Sequence, residues 1–247
     1  ILQLKKLDKR FENLKKIQNV FLNCYYESQN TNELFSELNS NNKTDFSRYI
    51  YFYASHVTSS GNISRAKNIV QSGLKLYPRN LLLNQYEIDL NNKKNMNVFN
   101  CKKENHVIAE ILYITANVLS SQSIYFSSNF YLNLAKFLNE DFHFYNSLLA
   151  ENFYKMNNYK KSKIIYKNLS KKGEAFKWHS TKQLANIFIQ EGKKKKAVKL
   201  TSDVYKDLNT KKVYETFDFA EFLKNNEKFE KSISYYTEVL NYIKKDH

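Results

Sequence analysis

The side chains with the most chemical reach are few: two cysteines, five histidines and a scatter of carboxylates. Cys24 and Cys101 stand 77 positions apart with no C-x-x-C and no dense cysteine framework. That spacing speaks against a zinc ribbon and against a disulfide scaffold, and leaves both as packing residues. His56, His106, His143, His179 and His247 never form H-x-x-x-H and never fall near a cysteine in sequence, so a metal site would have to be assembled across distant segments. Glu151 and Glu221 each have the chemistry of a general acid or base, but neither has a predicted partner, and a lone acid ordinarily serves recognition or is solvated. There is no G-x-x-x-x-G-K-[ST], no G-x-G-x-x-G and no G-x-S-x-G, and four isolated glycines could not build them. The expectation is a chain with no catalytic residue, no metal and no cofactor. Lys193 to Lys196 reads as the solvated edge of a helix, with anion docking as its functional alternative, and Trp178 reads as a packing anchor.

The elements that position these residues must be helices. Four Gly and one Pro in 247 residues are too few for an all-β fold of many short strands or for the glycine loops of nucleotide-binding α/β folds. With 42% hydrophobic and 15% aromatic residues there is ample material for a core. No stretch approaches the roughly 18–20 consecutive apolar residues of a membrane span. The formal charge of +15 comes from 35 Lys and only 4 Arg. Lysine supplies a hydrated point charge where nucleic-acid readout favours the bidentate guanidinium, so the balance argues against nucleic acid and for a solvated basic surface. The opening Ile1-Leu2-Gln3-Leu4 carries neither an initiator Met nor a signal peptide, and is expected to be the internal edge of a longer product.

A period then organises the chain. Small residues recur twelve positions apart: Ala54 and Ala66, Ala116 and Ser128, Ala150 and Ser162, Ala185 and Ala197, Ala220 and Ser232. The first members of the last four pairs step by 34, 35 and 35 residues. Two antiparallel helices approach closely only where side chains are small, so each pair marks a crossing point on either side of one turn. Gly61 and Gly192, and Asn157-Asn158 and Asn225-Asn226, fall in those turns. The spacing predicts about 14 helices: 3–24, 31–39, 45–59, 63–77, 80–91, 95–101, 105–121, 124–138, 142–156, 159–170, 175–191, 194–208, 211–225 and 228–244. Residues 1–44 read as a degenerate N-terminal helix pair. Residues 45–247 read as one array with a shortened pair near 80–104. The last helix is apolar on more than one face and is not a polar cap, so the array is expected to continue past His247.

The paired small residues, the aromatic after the turn (Tyr159, Phe229) and Pro78 at a repeat end resemble the tetratricopeptide repeat family from about residue 45 to 245. The resemblance implies an all-α, right-handed solenoid of antiparallel helix pairs that binds a protein or peptide in a concave groove. Stretches such as YPRNLLLNQ and NHVIAEILYITANVLSSQSIYFSSNFYLNLAKFL are similar to the middle of long bacterial tetratricopeptide arrays, which implies a periplasmic or envelope location. Carried onto matching positions, the groove candidates are Tyr51, Tyr113, Asn117, Glu151, Tyr154, His179, Lys182, Asn186, Phe217, Glu221 and Lys224. Such a mixture of Tyr, Asn and both charge signs suits an extended peptide or partner helix better than an anionic polymer. Lys182 and Asn186 match the start of the carboxylate clamp of chaperone-binding repeats, but Tyr214 and Asp218 stand where its remaining donors belong, which argues against it. The competing readings are a helical superstructure within a larger envelope enzyme, and Lys-mediated binding to an anionic polymer.

Overall fold

All ten small residues of the register are buried in the computed structural model of the chain, none more than 2% exposed. Serine at the second-helix position has a specific fit. The Ser128 hydroxyl donates to the Ala116 carbonyl at 2.7 Å, and the Ser232 hydroxyl to the Ala220 carbonyl at 2.9 Å. A buried hydroxyl without a partner would be costly, and a helix carbonyl at the crossing point accepts it without opening the helix. The structure describes residues 11–40, 45–94 and 96–245. The first part of the expected opening helix, residues 3–10 with Leu7, lies outside them, as does His247.

The chain divides into two compact units, residues 1–152 and 153–247. Unit 1 holds α1 (Glu12–Tyr25), α2 (Thr31–Asn39), α3 (Ser47–Ser59), α4 (Ile63–Leu76), α5 (Leu81–Asn92), α6 (Glu104–Ser121), α7 (Tyr125–Leu138) and most of α8 (Tyr145–Lys155). Unit 2 holds α9 (Tyr159–Leu169), α10 (Glu174–Gln190), α11 (Lys194–Lys206), α12 (Val213–Asn225) and α13 (Phe229–Lys245). Thirteen helices and no strand occur among the described residues, and none of these helices is long and apolar enough to cross a membrane.

The turns repeat as faithfully as the crossings. Glu27, Gly61, Ser123, Asn157, Gly192 and Glu227 all have φ between 54° and 85°. In each turn the next residue's N–H returns to a carbonyl five positions back: Ser28 to Asn23, Asn62 to Val57, Ile124 to Leu119, Asn158 to Phe153, Lys193 to Phe188 and Lys228 to Leu223. That is the Schellman closure, which caps orphan carbonyls and reverses the chain within about three residues. Only two of the six positions carry glycine, the residue that adopts this conformation freely. The turn before α13 reverses at Glu227 rather than at the Asn225-Asn226 pair expected from sequence.

One expected helix does not form. Around residues 95–101 the described backbone is irregular, after α5 ends at a left-handed Lys93 with φ 53°. Side chains take the backbone polar groups that helical bonds would have used. Ser55 donates to the Phe99 carbonyl at 2.8 Å, Asn139 to the Val98 carbonyl at 3.0 Å, and the Asn100 N–H to His106 Nδ1 at 3.1 Å. The segment thereby inserts Phe99 into an aromatic core with Phe52 (4.4 Å) and Phe21 (5.7 Å). Burial of a large ring by an irregular segment replaces the burial a second helix would have supplied.

Candidate binding faces

In a hairpin array the outward residues of each first helix are the natural contact row. In unit 1 this row is largely closed. Arg48 on α3 makes a two-pronged ion pair with Glu110 on α6, Nε to Oε1 and Nη2 to Oε2, both at 2.6 Å. The Glu110 side chain is fully buried. Arg48 Cζ lies 3.9 Å from the Tyr113 ring centre and 4.7 Å from that of Phe144, with Phe52 and Phe142 at 5.3 and 5.5 Å. Burial works against the guanidinium charge, but the charge and hydrogen bonds of Glu110 outweigh it and raise the Arg48 pKa. The same burial pushes the Glu110 carboxyl up, and the Arg48 charge pulls it back. Fork geometry and a ring-stacking cation are what lysine cannot provide. The sequence signal for this site was available: Arg48 is one of four arginines in a chain of 35 lysines.

Of the groove candidates in unit 1, Tyr51 is not a surface residue. It is 1% exposed and packs edge-on against Tyr86 at 4.8 Å. Its helix continues the expected row, but α5 and Phe142 cover it, which spacing along one helix cannot reveal. Tyr113 is half-buried and serves the Arg48 cage, Glu151 is half-buried, and Asn117 is exposed.

Unit 2 carries the open row. On α10, His179 is half-buried edge-on to Tyr166 at 6.0 Å, Lys182 is half-buried, and Asn186 is exposed. Burial and then the Lys182 charge bring the His179 pKa down from 6.5 to about 4. Lys182 donates to Asp218 of α12 at 2.6 Å, which ties the two first helices together and removes its cation from any carboxylate clamp. Phe217 remains 38% exposed beside Tyr236, ring centres 5.8 Å apart. Glu221 accepts from Lys224 at 2.7 and 2.8 Å and from the Tyr236 hydroxyl; the Lys224 hydrogen bond, then that of Tyr236, holds its pKa below the usual range. Tyr154, at the end of α8, is half-buried against Tyr159 at 5.6 Å. Trp178 is 2% exposed in a core with Tyr205, Leu208, Phe219 and Leu223, as a packing anchor.

The lysine run lines a cleft of about 840 Å³ with Lys199, Asn226, Glu227 and Lys228. Lys193 pairs with Glu191 at 2.9 Å, and Lys194 with Glu227 at 3.0 Å, so two of its four cations already face carboxylates.

The cysteines correct the reading from sequence. Cys24 of α1 and Cys101 of the α5–α6 segment are joined as a disulfide, both buried. His56 of α3 lies beside them, Nδ1 3.3 Å from Cys24 Sγ and 3.9 Å from Cys101 Sγ. Three distant segments thus place the two cysteines and a histidine together, a proximity that linear spacing does not encode.

No family model matches the chain, and none of the curated proteins does. Solved structures similar to it include a tetratricopeptide repeat protein from Parabacteroides merdae ATCC 43184, with 12% identity, 92% of this chain and 93% of that chain covered, and a TM-score of 0.43. Another is MamA MSR-1 C2, with 10% identity, 79% and 96% covered and a TM-score of 0.33. A third is the human IFIT1 dimer with m7Gppp-AAAA, with 13% identity, 94% of this chain and 55% of that chain covered, and a TM-score of 0.34. At this extent of similarity the fold stands on its own helix pairs, crossings and turns.

Proposed function

We propose that the chain is a non-catalytic helical-repeat scaffold that holds a protein or peptide through the first-helix row of unit 2, from His179 on α10 to Lys224 on α12. The observation that carries this reading is Phe217. It is a 38%-exposed ring flanked by the Lys182–Asp218 bridge and the Tyr236–Glu221–Lys224 network. An apolar anchor rimmed by fixed polar groups of both signs is the anatomy of a peptide-contact surface. The acids that pair with Lys193 and Lys194 weigh against the anionic-polymer alternative.

Selection of a displayed random-peptide library on the full chain tests the proposal. Peptides enriched on the native protein should be retained poorly by Asn186→Ala/Phe217→Ala and normally by Asn117→Ala in unit 1. Failure to enrich any peptide, or equal retention by the first variant, counts against it.

A further inference from the structure

Among the described residues, Cys24 Sγ, His56 Nδ1 and Cys101 Sγ are the one group of histidine, cysteine or carboxylate donors whose ligand atoms gather closely enough to share an ion, all within 4.8 Å of one another. The oxidised form satisfies the two sulfurs but offers His56 Nδ1 only weak partners in them. A disulfide sulfur is a poor hydrogen-bond acceptor, so it gives an imidazole nitrogen little reason to face both sulfurs at 3.3 and 3.9 Å. The ring is nevertheless held in that orientation by stacking on Phe35, centroids 5.8 Å apart and planes within 27°.

We propose that the reduced pair, with His56, is a three-coordinate site for a soft monovalent d10 cation, copper(I), and that the disulfide is the closed, metal-free state of the same site. The ligand set selects the ion. The two thiolates are soft donors and the imidazole is a borderline one that copper also accepts, and a tetrahedral structural zinc site would need a fourth protein ligand that this group lacks. Charge points the same way. Copper(I) on two thiolates is a net monoanion, and the cations that bear on His56 are Arg65 and Lys102, the latter paired with Glu27 at 2.8 Å. Formation balances in two steps. A phosphine reductant takes the oxygen of one water while its two hydrogens reduce the disulfide to two thiols. Each thiol then releases one proton as copper(I) binds both sulfurs and the neutral His56 Nδ1.

The test uses the full chain reduced with a water-soluble phosphine under anaerobic conditions and titrated with copper(I) against a chromogenic copper(I) chelator. One ion per chain is expected in the reduced protein and none in the oxidised protein. Cys24→Ser should abolish tight binding. His56→Ala keeps both cysteines, verified by counting two thiols per denatured reduced chain, and should weaken the dissociation constant by at least about tenfold. Equal affinity in His56→Ala overturns the proposal, as does uptake of zinc(II) with refusal of copper(I). A reduced chain that loses its helical circular dichroism and does not regain it with copper(I) assigns the pair a structural role only, and also overturns it.

Discussion

Units 1 and 2 are built from the same hairpin, with a small residue at the crossing and a Schellman turn between helices, yet their first-helix rows have opposite fates. In unit 1 the row is turned into core: Arg48 and Glu110 bury their charges against each other under Tyr113, Phe144, Phe52 and Phe142. In unit 2 the Glu221–Lys224 pair stays at the surface and Lys182 is partly exposed over a largely buried Asp218, on either side of a Phe217 that is 38% exposed. Repeat architecture therefore specifies where a contact row runs but not whether it is available. The rings around the row decide that, and in this chain they leave the row of unit 2 the more exposed.

The largest way to break this comparison is Arg48→Met. Removing one member of a buried ion pair leaves Glu110 uncompensated and should cost about 3–5 kcal/mol, read as a lower urea midpoint by circular dichroism. Adding Glu110→Leu should recover most of the loss; an unaltered single variant would mean that the pair is not buried as described. Next is the titration of His179 in unit 2. Its pKa falls from 6.5 to about 4 on folding, so the unfolded chain takes up the proton first as pH drops. The associated stability is fully present above pH 6.5 and is lost on descending toward pH 4. The loss amounts to roughly 3 kcal/mol. His179→Gln should flatten that part of a pH–stability profile followed by Trp178 fluorescence, and a slope of unchanged steepness would sink the assignment.

Smaller is the effect of Phe217→Ala on a selected peptide. Affinity should fall about tenfold, equivalent to about 1.4 kcal/mol, while the thermal midpoint changes little because the ring is already half-exposed. The smallest prediction concerns what the units share. Ser123→Gly in unit 1 and Glu227→Gly in unit 2 relieve a left-handed residue and lose some unfolded-state restriction. Each should stabilise by about 0.5 kcal/mol, and by similar amounts in both units.

The repeat was legible in sequence because its determinants are local and periodic. A small residue at a helix crossing is required at every repeat, and all ten that spacing singled out are buried. The helix over 95–101 was not legible. Met96, Val98 and Phe99 suit either state, and the choice is made by Ser55 and Asn139 reaching in from elsewhere in the chain. Tyr51 was misplaced for a related reason: its own helix presents it outward, and α5 with Phe142 covers it. Arg48 was overlooked, although its rarity beside so much lysine marked a place where fork geometry matters.

By itself the sequence determined an all-helical chain of hairpins, their register and the candidates along each first helix, because helix period, small-residue crossings and turns act over a few to a few dozen residues. Only the tertiary structure decided which row is buried, that two cysteines 77 positions apart meet beside His56, and that the phenyl ring of Phe99 stands in for a helix. Those outcomes depend on which side chains from remote segments arrive at one point. Burial and pairing energies are set there, by proximity in space that no spacing along the chain encodes.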